Sequence, residues 1–146
     1  MPYHSLMRNI FVYGSLMFDR VWCSVVTNYY PKYDARLDGY VRLRVKGEDY
    51  PGLIEFGGAT VAGKVLLGIE RADIEQLDQF EGAYYQRKNV TVRLNGNRVA
   101  QAETYVFRNE YRFMLSDKAW CAQEFREKGL GNFLARYQGF RHIHGR

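Results

Sequence analysis

Asn95-Gly96 stands between two apolar-rich runs, residues 84–94 and 99–107. An Asn-Gly pair in that setting is a strong short-range signal for a hairpin, because both residues tolerate the positive φ that tight turns demand. These runs are therefore predicted to pair antiparallel. The rest of the chain is organised around the same signal. Residues 8–13, 35–45, 52–56 and 60–69 read as further strands, with Gly57-Gly58 turning the chain between the last two. Phe18, Val21, Trp22, Val25 and Val26 recur at helical spacing and predict a helix over 18–27. Residues 72–80 read as a short helix ended by Gly82. Ser116 can cap a helix over 117–128 stopped by Gly129, a last short helix is predicted over 130–137, and the tail 138–146 reads as frayed. Runs of strands with helices inserted argue an α+β fold with a mixed, mostly antiparallel sheet.

The chain of 146 residues fits one domain, 1–146, with its core over about 8–137. No linker, repeat or low-complexity block divides it. The longest apolar stretch is far short of a membrane span, the first eight residues hold no apolar signal core, and a soluble cytoplasmic protein is expected. Two cysteines make no disulfide framework; Cys23 and Cys121 each lie beside a Trp and read as buried free thiols. The net charge is +5, but the basic residues are scattered. Alternation through Arg42-Leu43-Arg44-Val45-Lys46 reads as the polar face of a strand, not as a nucleic-acid surface. His4, His142 and His144 lie near the termini, and no Cys/His/Asp/Glu cluster has metal-ligand spacing.

Two short segments carry chemistry. In the first, Ile10-Phe11-Val12 is followed by Tyr13-Gly14-Ser15-Leu16. A buried strand broken by Gly-Ser turns its backbone N–H groups into a nest that holds an anion. In the second, Glu81 lies four residues past Leu77, between Phe80 and Gly82, and so leaves its helix on the inward side. Apolar surroundings raise a carboxyl pKa toward the range useful for proton transfer. Ser15 as a covalent nucleophile is disfavoured, because no histidine base falls in the motif-bearing region.

Together these segments resemble the gamma-glutamylcyclotransferase family, and within it the gamma-glutamylamine cyclotransferase-like branch. The resemblance runs through Phe11-Val12-Tyr13-Gly14-Ser15-Leu16-Met17, Leu37-Asp38-Gly39-Tyr40, Tyr50-Pro51-Gly52-Leu53 and Val61-Ala62-Gly63-Lys64-Val65-Leu66. It continues through Leu77-Asp78-Gln79-Phe80-Glu81-Gly82, Tyr85-Gln86-Arg87 and Ala102-Glu103-Thr104-Tyr105-Val106-Phe107. It spans roughly residues 9–107, more loosely to 137, and the tail beyond Tyr137 matches nothing in it. Leu16 sorts the chain with the gamma-glutamylamine-like group and away from the branch with Asn at that place. The resemblance implies a small mixed β-barrel flanked by helices, with a pocket at one mouth. It implies a cofactor-independent reaction, release of 5-oxoproline from a γ-glutamyl amine or amino acid. Glu81 is then the general acid/base, the turn Tyr13-Gly14-Ser15-Leu16 the substrate loop and Tyr85 a pocket tyrosine. Tyr50 and Tyr105 are further wall candidates. The expected partner is a small γ-glutamyl molecule, with no nucleic acid and no membrane, on a monomer or homodimer. Two alternatives stay open: an idle binding member of the same fold, and another acyl or aminoacyl transfer in the same pocket.

Overall fold

Strands cluster where apolar residues alternate, and the computed structural model orders them into a closed ring. It describes residues 7–143, with side chains over 8–137. The strands are β1 (Met7–Val12), β2 (Lys32–Val45), β3 (Pro51–Glu70), β4 (Tyr85–Arg93), β5 (Val99–Phe107) and β6 (Leu115–Ala119). Their order is β3-β1-β5-β4-β2-β6, and β2 also pairs with β3, so five strands close a barrel and β6 rides on one side. Of these pairings only β1–β5 is parallel. The predicted hairpin holds: Arg93 faces Val99, and the Leu94 N–H donates to the Arg98 carbonyl across the turn at 2.7 Å.

Alternation along the strands sorts the core into two layers. Phe11, Ala35, Leu37, Leu53, Val61, Val65, Val90 and Val92 fill the barrel. Ile10, Val12, Leu66, Ile69 and Phe107 point outward and pack under the helices with Val21, Trp22, Ile74 and Leu77. These helices are α1 (Asp19–Val25) and α2 (Arg71–Glu81). At the C-terminus a helical run begins with α3 (Ala122–Glu124), passes through a π-helical turn, Phe125–Gly129, and continues as α4 (Leu130–Ile143). No helix among the described residues is long and apolar enough to cross a membrane.

Four expectations change. The two strands read at 52–56 and 60–69 are one strand: Gly57-Gly58 sits in a bulge, where Tyr40 pairs with Glu55 and Asp38 with Thr60. The helix expected at 117–128 begins later: 122–128 are helical, but 117–119 belong to β6, because the β2 edge offers Leu43 and Val45 as partners and Leu115 is buried there. Ser116 Oγ accepts from the Lys118 N–H, a local bond that serves a strand end as well as a cap. Gly129 does not end a helix, since Leu130 keeps right-handed helical dihedrals, and α4 runs on through Ile143, six residues past its expected end. Of the tail read as frayed, residues 138–143 are helical and 144–146 lie outside the described residues, as does His4. Finally, both cysteines are exposed free thiols rather than buried ones. Cys23 lies on the outer side of α1 from Val21 and Trp22, with its Sγ 2.6 Å from the Tyr29 hydroxyl.

Candidate active site

The C-terminal ends of β1, β2 and β5 and the N-terminal ends of β3 and β4 meet at one end of the barrel, as their antiparallel and parallel pairings require. The turn after β1 lies there. Gly14 leads into a 3₁₀ turn, Ser15–Met17, closed by the Met17 N–H donating to the Gly14 carbonyl at 3.0 Å. A Cβ on Gly14 would lie 2.9 Å from the Pro51 ring, so only glycine lets the turn rest against β3. Pro51 is held in turn by the Tyr85 hydroxyl, which donates to its carbonyl at 2.8 Å. Arg42 fixes the other side. Its Nη1 donates to the Tyr13 carbonyl at 2.7 Å and to the Ala62 carbonyl at 3.1 Å, while its guanidinium stacks 5.0 Å from the Trp120 ring. An arginine read from sequence as a solvated strand face thus ties the turn to β2.

α2 delivers Glu81 to the same end. Its N-terminal half is anchored by buried Asp73, whose carboxylate accepts from Asn28 Nδ2 at 3.0 Å, Thr27 Oγ1 at 3.2 Å and the Tyr30 hydroxyl at 2.5 Å. Leu77 and Ile74 bury its inner face. Gly82, at φ +82°, stops the helix in a conformation other residues rarely adopt, so Glu81 is its last residue. One turn before it, Asp78 receives a two-pronged bond from Arg87, at 3.0 and 3.2 Å, and the Tyr105 hydroxyl at 2.7 Å. Arg87 also reaches Glu103 at 2.9 Å.

Between the turn and α2 lies a cavity of about 390 Å³. Glu81, Tyr13, Gly14, Ser15, Leu16, Tyr50, Tyr85 and Tyr105 all line it, so every site residue expected from sequence comes to one place. Glu81 keeps some solvent access through the cavity, but protein packs around its carboxyl group. That burial, with the Asp78 charge one turn away, pushes its pKa from 4.5 up to about 8. Burial, with a smaller contribution from the Glu81 charge, raises Tyr13 and Tyr85 well above the ordinary phenol range, and burial with the Asp78 hydrogen bond raises Tyr105, so each stays a neutral hydroxyl. Tyr13 spends its proton on the Tyr105 carbonyl, 2.5 Å away. The arrangement sets two carboxylates apart. Asp78 is held by an arginine and a hydroxyl, and Glu81 is left to gain and lose a proton.

Sequence reasoning passed over part of this site. Asp78 stood in the quoted motif without a role, although its three-residue spacing from Glu81 places both on one helix face. Phe133, Arg136 and Tyr137 line the cavity from α4, with Phe80 and Tyr84 beside them. The spacing of three and four residues in α4 marks a shared face, but nothing local says that this face folds over the barrel end.

The family model for gamma-glutamyl cyclotransferase, AIG2-like, matches residues 10–122, from β1 to the start of α3. The chain belongs to this family. AIG2-like protein C of Arabidopsis thaliana is 37% identical to it over 134 residues, covering 90% of this chain and 77% of that protein. An Arabidopsis thaliana protein solved in solution shares the fold at a TM-score of 0.69 and 26% identity, over 97% of this chain and 95% of that one. An AIG2-like protein from Mus musculus shows the fold at a TM-score of 0.61 and 20% identity, over 80% of this chain and 89% of that one. The α+β barrel expected from the family resemblance is thus the observed architecture, and the family's matched span contains both Glu81 and the Gly14–Leu16 turn.

Proposed function

We propose that the protein is a cyclotransferase that converts a γ-glutamyl amide to 5-oxoproline and the free amine. The observation that carries this reading is a buried carboxyl group, Glu81, poised near pH 8 in the cavity that the Gly14-Ser15-Leu16 turn also lines.

The α-ammonium of a γ-glutamyl group enters beside Glu81 and gives it a proton. An acceptor near 8 is closer to an amine's own range than an ordinary carboxylate is, so the transfer is less uphill. The freed α-nitrogen attacks the γ-carbonyl carbon, forming the ring bond. The C–N bond to the leaving amine then breaks as the proton held by Glu81 passes to the departing nitrogen. The attacking nitrogen gives up its second proton through the freed Glu81 carboxylate, and that proton ends on the released amine, which departs as an ammonium. One carboxylate serves as base and then as acid, so no cofactor enters the scheme. The backbone N–H groups of the turn hold the α-carboxylate, or the carbonyl oxygen as charge develops on it. The tyrosine hydroxyls stay neutral, so they shape the site without competing for the proton. Holding the glutamyl chain folded toward its own carbonyl supplies much of the rest; such proximity contributes roughly 7–11 kcal/mol in favourable cases.

The scheme makes the α-amine the nucleophile. A γ-glutamyl amide with a free α-amine is expected to yield 5-oxoproline, and its N-acetylated counterpart to bind as an inhibitor without releasing amine. Release of amine from the N-acetylated compound would contradict intramolecular attack.

A further inference from the structure

The cyclotransferase reading leaves open which amine departs, and the far wall of the cavity bears on it. Four rings form one continuous patch there. Phe80 meets Phe133 at 6.0 Å and Tyr137 at 5.3 Å, edge to face in both cases, and Phe133 meets Tyr50 edge to face at 6.2 Å. All four line the cavity, and all are half-buried, so each keeps area open to a ligand. Phe80 directly precedes Glu81, so the patch begins one residue from the group that moves the proton. Edge-to-face packing between rings is worth more than the buried area alone, which makes a further ring the best complement to such a wall.

Charge points the same way. Arg136 is the sole cation among the described residues that line this cavity, and both its terminal nitrogens are engaged: Nη1 with Glu48 at 3.2 Å and Nη2 with Asp49 at 3.2 Å. Glu48 also lines the cavity. A leaving amino acid would bring a second carboxylate to a wall that already holds the Glu48 carboxylate and whose cation is shared between two acids. An amine without a carboxylate meets no such repulsion.

We propose that this wall is a leaving-group subsite for an aromatic ring, and that the preferred substrates are γ-glutamyl amides of arylalkyl amines lacking a carboxylate. The proposal rests on the cyclotransferase reading for its reaction but not for its binding preference. The cavity, at about 390 Å³, lies in the range of about 300–1,000 Å³ typical of small-molecule sites, so it has room for more than the glutamyl part.

Three compounds test it: γ-glutamylphenethylamide, γ-glutamylphenylalanine, which adds only the carboxylate, and γ-glutamylmethylamide, which lacks the ring. Wild-type 5-oxoproline release is measured for each, together with calorimetric binding to Glu81→Gln. The phenethylamide is expected to exceed both others at least tenfold in kcat/KM and to bind tightest. Phe133→Ala should collapse the phenethylamide-to-methylamide ratio at least tenfold, and Phe133→Leu, which keeps apolar volume at the site, should reduce it by less. Equal use of phenethylamide and phenylalanine compounds, or an unchanged ratio in Phe133→Ala, overturns the subsite. If wild type releases 5-oxoproline from none of them, the cyclotransferase reading falls and the binding order alone decides: phenethylamide tightest sustains the subsite. Equal affinities, or no binding, overturn it.

Discussion

Glu81 is costly to bury as an anion, and that cost is measurable. Its folded pKa of about 8 exceeds its ordinary value of 4.5, so between these pH values the folded protein binds the proton that the unfolded chain has lost. Stability should therefore fall as pH rises through this window, by a few kcal/mol in all, and Glu81→Gln should flatten the fall. Denaturant melts of both proteins from pH 4.5 to 8.5 check this; parallel curves would mean that the carboxyl group is solvated. Asp78 contributes part of the shift through its charge. Asp78→Asn should move the pH dependence of kcat/KM toward acid, because removing a neighbouring anion eases ionisation of Glu81. It should not reach the range of an ordinary carboxylate, since desolvation is the larger cause and remains. A pH profile that does not move would remove Asp78 from this role.

The helix α2 places Glu81 through anchors at both ends: Asp73 against the 27–30 loop, and Asp78 against Arg87 of β4 and Tyr105 of β5. Replacing Asp73 with Ala removes a buried charged acceptor from half-buried Tyr30 and from Thr27 and Asn28, which are exposed, a change that costs about 1–3 kcal/mol. The expected result is a lower denaturation midpoint, with kcat falling as α2 loosens; unchanged stability would show that the loop finds other acceptors. At this scale the sequence was legible where local signals and tertiary context agree. The Asn95-Gly96 hairpin, the short helix before Gly82 and the strand before Tyr13 all follow from periodicity and turn chemistry. It was illegible where a distant partner decides. Residues 115–119 join a sheet because β2 offers an edge, and Gly57-Gly58 bulges rather than turns because β2 runs alongside on both flanks. Cys23 and Cys121 mislead because a neighbouring Trp says nothing of which side of an element faces water.

Across the whole molecule, barrel closure is what brings the motifs together. The turn after β1 and the end of α2 are more than sixty residues apart in sequence, and they meet because β1 lies between β3 and β5. The candidate residues were readable through their motifs, whereas the aromatic wall of α4 was not, since it depends on where the last helix crosses the barrel end. The assembled cavity also predicts product binding. 5-Oxoproline keeps the carboxylate and ring carbonyl that the turn is proposed to hold, so it should inhibit competitively and bind with its carboxyl group within about 2.7–3.2 Å of backbone N–H groups at Gly14-Ser15-Leu16. A ligand-bound crystal structure with the product elsewhere would contradict the site. The most direct measurement follows 5-oxoproline by NMR with a γ-glutamyl amide and wild-type protein beside Glu81→Gln. Wild type should release it and the Gln variant should be slower by about 10²–10⁴ with the fold retained, whereas equal release would contradict the assignment of proton transfer to Glu81.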